Sequence, residues 1–168
     1  TTAYKIINEY EESRLTDIFR SYGELNQSAR IASLISRARK TSPVRTNFEL
    51  VECLSGVIPA KNSNQFLSQV FQALRIEVND EIGALREFLV SSLDILRPGG
   101  RLAVITYHSL EDRLCKNFMK SGNFEGRVDM DFFGNRHTPF RLINKKVITP
   151  EKSETDLNKR ARSAKLRI

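Results

Sequence analysis

Arg97-Pro98-Gly99-Gly100-Arg101-Leu102-Ala103-Val104-Ile105-Thr106-Tyr107-His108-Ser109-Leu110-Glu111-Asp112-Arg113 is the stretch on which the fold turns. Pro and Gly directly after a periodic helical pattern are stop signals, so Pro98-Gly99-Gly100 ends a helix. The short apolar run from Leu102 to Ile105 fits a strand buried on both faces, as in a parallel sheet. Ser109 with Asp112 three residues on predicts an N-cap and an acidic first turn, and so another helix. In open α/β sheets, ligands sit beyond the carboxyl ends of the strands. Tyr107, His108 and Ser109 are therefore the candidate pocket residues. Glu111 and Asp112 are read as dipole partners of the helix rather than as general bases.

Towards the amino terminus the pattern is helical. Leu15, Ile18, Phe19 and Tyr22 form one stripe ended by Gly23, and Ile31, Leu34, Ile35 and Ala38 form a second. Thr46 with Glu49 reads as a capping box opening a short helix with Phe48, Leu50, Val51 and Leu54 on its apolar positions. Residues 64–96 read as a long helical stretch, with Phe66, Val70, Phe71, Leu74, Ile82, Leu85, Leu89, Leu93 and Leu96 buried. Val78 and Asn79 weaken helix propensity, so a break is expected in 75–81.

Towards the carboxyl terminus, 122–135 reads as irregular loop, 141–148 as a strand, Ser153 with Asp156 as the cap of a short helix, and 162–168 as a final strand. The first ~95 residues carry no convincing strand, so the two halves are different objects. A buried strand at 102–107 wants a neighbour on each side, and one edge lacks a partner. The chain also starts abruptly at Thr1, without Met or an obvious cap, as though cut from a longer polypeptide.

The charge narrows the function. A net charge of +7 and a pI near 9.6 favour a polyanionic partner. Arg37, Arg39 and Lys40 gather near the end of the second helix, where they complement its dipole or contact phosphate. Arg136, Arg141, Lys145, Lys146, Lys159, Arg160, Arg162, Lys165 and Arg167 follow late in the chain, with Phe132, Phe133 and Phe140 near them. Aromatics among cations suit single-stranded nucleic acid, though core rings beside a solvated cationic rim explain each residue singly. Arg75 and Asn79 either face a pocket, for phosphate and a base edge, or belong to an exposed ion-paired turn. Cys53 and Cys115 have neither zinc nor disulfide-framework spacing, which fits a reducing, cytoplasmic setting. No apolar run reaches the roughly 20 residues that span a bilayer. There is no GxGxxG, P-loop or nucleophile elbow.

Four spaced segments carry a resemblance. They are Val70-Phe71-Gln72-Ala73-Leu74-Arg75-Ile76-Glu77-Val78-Asn79-Asp80-Glu81, Pro98-Gly99-Gly100-Arg101-Leu102, Tyr107-His108-Ser109-Leu110-Glu111-Asp112-Arg113 and Ala161-Arg162-Ser163-Ala164-Lys165-Leu166-Arg167. Together they closely resemble the MraW (RsmH) family, S-adenosylmethionine-dependent methyltransferases acting on the N4 amine of a cytidine in 16S ribosomal RNA of the small subunit. The resemblance implies an α/β fold: residues 1–70 as a helical insert that helps hold RNA, and 71–168 as the return of a Rossmann-like methyltransferase sheet with its last three strands. It implies Tyr107, His108 and Ser109 at the rim of a pocket for a base taken out of its stack. It further implies RNA contacts from Arg75, Asn79, Arg113, Arg37, Arg39, Lys40, Arg160 and Arg162.

The family's Gly-rich loop, GGGGHS-like, and its acidic cofactor residues have no counterpart here. S-adenosylmethionine is therefore expected to be bound by sequence upstream and not by this chain alone, which is expected to be inactive by itself. Lys159 stands where the family usually has Pro, between Asn158 and Arg160. The other reading is a cofactor-free RNA-binding or ribosome-associated module. On either reading the open sheet edge is expected to favour a homodimer.

Overall fold

The computed structural model describes residues 1–128, 130–133, 138–144 and 146–168. The chain divides into two compact units, Thr1–Glu81 and Ile82–Ile168. The helix that carries Val70 runs on to Asn79, within the first unit.

The first unit is helical throughout. Although the sequence shows no obvious cap at its start, Thr2 Oγ1 accepts a hydrogen bond from Lys5 N at 3.2 Å and opens α1 (Ala3–Glu9). Helix α1 buries Ile6 and Ile7. The two expected stripes become α2 (Glu12–Ser21) and α3 (Ser28–Thr41), which pack on each other through Leu15, Ile18, Phe19, Ile31 and Ile35. Thr46 caps α4 (Asn47–Cys53) by accepting from Glu49 N, as expected. Its partner carboxylate accepts from Arg45 N, one residue before the cap. Phe48, expected in the buried stripe of α4, is 88% exposed, because Leu50 and Leu54 already fill that contact. Helix α5 (Ser63–Asn79) closes the core with Phe66, Val70, Ala73 and Leu74.

The expected break is one residue wide. Asp80 adopts the left-handed conformation, φ 51°, and ends α5 with its N–H on Ile76 O. Helix α6 (Glu81–Ile95) starts immediately after it.

In the second unit, β1 (Val104–Thr106) is followed by α7 (Ser109–Ser121) and α8 (Lys152–Leu157). A 3-10 helix, Lys159–Ser163, then leads into β2 (Lys165–Arg167). Helix α8 is preceded by Glu151 in the cap position, two residues earlier than the Ser153 expected from sequence. Strands β1 and β2 pair antiparallel, with Val104 opposite Arg167 and Thr106 opposite Lys165.

The expectation of a strand buried on both faces in a parallel sheet is corrected here: the pairing is antiparallel, and Ile105 is 57% exposed while Val104 and Thr106 are buried. Alternation of that kind marks a strand with one covered face. The three expected strands are also reduced among the described residues. The 141–148 run meets the far edge of β2 at a single bridge, Ile148 with Leu166, plus a bond from Ile143 N to Ile168 O. A basic interruption at Lys145-Lys146 falls in the middle of that run, and Lys145 lies outside the described residues, as does Arg136.

Helix α7 covers both strands. It contributes Cys115, Phe118 and Met119 to a core completed by Leu89 and Val104. Phe118 stacks on Phe124 at 4.9 Å, and Arg86 lies 4.7 Å from the centroid of the Phe124 ring. Gly122 ends α7 at φ 76°, where a Cβ would approach Pro139 Cδ to 2.7 Å. No helix among the described residues is long and apolar enough to cross a membrane.

Candidate functional site

The junction between β1 and α7 is organised by a reciprocal cap. His108, not Ser109, is the N-cap: its Nδ1 accepts from Glu111 N at 3.4 Å, and Glu111 Oε2 accepts from the His108 and Tyr107 N–H groups at 3.4 and 2.9 Å. The carboxylate expected at Asp112 is supplied instead by Glu111, three residues after the true cap. Ser109 becomes the first helical residue and is exposed. His108 Nε2 is buried and lies 3.2 Å from Glu111 Oε1, without the alignment of a hydrogen bond.

Burial opposes ionisation of Glu111, but the bonds from His108 and from the Tyr107 N–H outweigh it and hold its carboxyl below the usual carboxylate range. Both side chains are thus engaged in fixing the backbone at the strand end. His108→Ala should cost about 1 kcal/mol of stability, the usual value of a lost cap, and His108→Asn should restore most of it. Thermal melts of the two variants check this; equal losses in both would remove the capping role.

That anchoring has a consequence for Tyr107. Its backbone is tied to Glu111 while its ring stands 57% exposed at the carboxyl end of β1. Beside it lies the 3-10 helix, and Tyr107, Lys159, Arg160, Arg162 and Ser163 together line an open depression of about 420 Å³ with no acidic side chain among the described residues. Asn158 fixes the start of that helix, accepting from Arg160 N through Oδ1 at 3.1 Å. Lys159 stands at its first position, one that Pro also fills readily because its N–H would be unpaired there. The structure therefore brings Tyr107 together with Arg160 and Arg162, which lie more than fifty residues away in sequence.

The other expected residues divide. Arg75 donates through Nε and Nη2 to the two oxygens of Glu81, at 2.8 and 3.0 Å, and Asn79 Nδ2 donates to Glu81 Oε1 at 3.1 Å. Of the two readings of this cluster, the geometry is that of an exposed, ion-paired turn stabilising the α5–α6 break. Arg39 Nη1 donates to Ile7 O at 2.9 Å and so ties α3 to the end of α1. Arg37 and Lys40 are exposed on α3, and Arg113 is exposed on α7.

Asp112 was missed as a residue of consequence. It is buried, and its carboxylate takes Arg167 Nε at 2.6 Å and Nη2 at 3.2 Å, with Lys165 Nζ at 3.3 Å. Burial raises its pKa, but Arg167 and then Lys165 dominate and hold it below the ordinary aspartate value. The available signal was in β2, where Lys165 and Arg167, two residues apart, share one strand face and so can meet one carboxylate together. Burial also pushes the Cys115 thiol up to about 11, so it is no nucleophile.

Comparison with known proteins decides the family. The MraW methylase family matches residues 1–168. The chain belongs to the MraW methylase family. A protein of Parabacteroides distasonis named ribosomal RNA small subunit methyltransferase H is 55% identical over 167 residues, spanning 99% of this chain and 55% of that relative. Proteins of the same name from Bacteroides thetaiotaomicron and Flavobacterium johnsoniae are 54% and 51% identical, over 55% of their own length in each case. This MraW methylase chain thus spans about 55% of the length of these curated relatives.

Proposed function

We propose that this chain is the RNA-facing part of an S-adenosylmethionine-dependent methyltransferase that modifies the N4 amine of a cytidine in 16S ribosomal RNA. The observation that carries the reading is the acid-free depression of Tyr107, Lys159, Arg160 and Arg162 at the carboxyl end of β1. An exposed ring offers a stacking face to a base of any identity, while the cations follow the backbone phosphates. His108, Ser109 and Glu111 hold that rim in place. Arg113 adds a cation on the second unit, and Arg37 with Lys40 offer separate phosphate contacts on the helical unit. Arg39 acts through the α1–α3 tie. Arg75 and Asn79 are assigned to orienting the RNA strand, which they would do by exchanging their bonds to Glu81 for bonds to RNA. The helical residues 1–70 serve RNA binding, and 71–168 serve as the return of a Rossmann-like sheet. The antiparallel seat of β2 between β1 and the Ile148 bridge supports that last assignment.

The described residues do not fit the methyl donor. A nucleotide-type cofactor in such folds sits on a Gly-rich turn after a strand, against free N–H groups at a helix start. Here no glycine lies between β1 and α7, and the first N–H groups of that junction are taken by Glu111 and His108. The donor is assigned in this proposal to sequence of the kind that the longer relatives carry beyond the matched region. The edge of β1 that has no partner strand among the described residues is assigned to association, either with such sequence or with a second copy.

The test is a transfer assay with labelled S-adenosylmethionine and small-subunit RNA, run on the whole family protein and on this chain alone, with nucleoside analysis of the product. Label on the N4 amine of a cytidine with the whole protein, and RNA binding without transfer by the chain, is the expected pair of results. Label on another atom would overturn the substrate assignment. RNA binding without transfer by the whole protein would establish a binding module instead.

A further inference from the structure

At the opposite end of β1 the second unit has a cavity of about 540 Å³. It lies between the end of α6, the Arg97–Arg101 turn, Met119 of α7 and the segment 139–143. That volume falls within the roughly 300–1,000 Å³ of small-molecule sites, and the lining mixes apolar side chains with polar surface. The lining is Leu93, Leu96, Leu102, Met119, Phe140 and Leu142 among others, and its only charged side chains are Arg97, Arg101 and Arg141. Leu93 and Leu96 were expected in the core; Leu93 is instead 39% exposed because it faces this space.

Two features shape its rim. The turn is fixed: Gly99 sits at φ 84°, Gly100 N donates to Arg97 O at 2.8 Å, and a Cβ on Gly100 would lie 2.9 Å from that oxygen. Arg97 and Arg101 are thereby held on one rim. None of the three arginines is paired with an acid among the described residues, and all three are exposed, so their guanidinium groups are available to an anion at the mouth of the hollow. Single-stranded RNA fits less well, because the floor is aliphatic and its one ring, Phe140, packs on Phe118.

We propose that this cavity binds a small amphipathic organic acid, its apolar body on Leu93, Leu102 and Met119 and its carboxylate or phosphate among Arg97, Arg101 and Arg141. The probe is decanoate, titrated into the chain by calorimetry and by the methyl resonance of Met119. Saturable one-to-one binding that shifts Met119 is expected. Arg101→Gln combined with Arg141→Gln should weaken it about ten-fold or more, the scale of lost charge-assisted hydrogen bonds. Decanol, of equal length and uncharged, should bind at least about ten-fold more weakly than decanoate for the same reason. Absence of saturable binding, equal binding of decanol, or indifference to the double substitution would each overturn the proposal. Displacement of decanoate by a short single-stranded RNA would also overturn it and assign the three arginines to RNA.

Discussion

Asp112→Asn is expected to destabilise residues 82–168 by about 3 kcal/mol or more, the usual scale for removing one partner of a buried ion pair. The loss has two parts. The aspartate carboxylate sits at the start of α7, where negative charge is favoured, and it is the only described acid that meets Arg167 and Lys165. With the charge removed, Arg167, itself largely buried, keeps its own charge without a counter-charge. For a domain of this size each kcal/mol lowers the melting temperature by about 4–8 °C, so a fall of about 12–24 °C is expected.

Hydrogen exchange localises the effect. Protection should drop in α7 and β2, which this cluster clasps together, and should hold in α2 and α3. The pH dependence follows from the sign of the shift. Asp112 titrates lower in the folded state than in the unfolded one, so the unfolded chain binds more protons between the two values. Its contribution is complete above the ordinary aspartate range and disappears as pH falls through the depressed value, with Glu111 adding in the same direction. Wild type should therefore lose stability steeply below about pH 4, and Asp112→Asn should show a shallower slope there. An unchanged melting temperature together with an unchanged acid limb would remove the cluster from the account of this fold.

That cluster also marks where the sequence stops being legible. The helices α2, α3, α5 and α6 could be read from apolar periodicity, because each has one buried stripe and the stripe repeats every turn. The break at Asp80 and the stop at Pro98-Gly99-Gly100 were legible because backbone preferences are local. Strand pairing was not. The run Leu102–Ile105 looks buried on both faces in sequence, yet pairing direction depends on β2, some sixty residues later, and no local signal carries it.

The candidate site shows the same division. Tyr107 and the 107–109 position at a strand end followed from the order of elements. The cap was misplaced by one residue because His is a less common N-cap than Ser, although Glu111 three residues on was the pairing clue. The association of Tyr107 with Lys159, Arg160 and Arg162 is a long-range fact that composition could only suggest as clustered charge. Arg75 and Asn79 were ambiguous for an energetic reason. Whether a cation faces a ligand or its own neighbour depends on where one carboxylate, Glu81, is placed.

Tyr107→Ala is expected to weaken binding of a short single-stranded RNA by about 5- to 150-fold, the equivalent of about 1–3 kcal/mol for one stacked base. The substitution should leave the fold nearly intact, because the ring is more than half exposed and the Tyr107 anchor to Glu111 runs through the backbone N–H. Tyr107→Phe keeps the ring and should retain most of the affinity, which separates stacking from hydrogen bonding by the phenol. Arg160→Gln with Arg162→Gln acts on a different quantity. Each phosphate contact removed from a single-strand complex lowers the slope of log affinity against log salt by about 0.7, so the pair should lower it by about 1.4. The Tyr107 substitutions, which change no charge, should leave that slope alone.

Fluorescence anisotropy at several salt concentrations measures both effects at once. Two independent signatures on residues that meet only in the folded chain would tie the depression itself to RNA, beyond the general basicity of the protein. If Tyr107→Ala bound as tightly as wild type and the salt slope survived loss of both arginines, the depression would not be an RNA surface. The cations of α3 would then be the next to test, through Arg37 and Lys40, whose exposure leaves them available for phosphate.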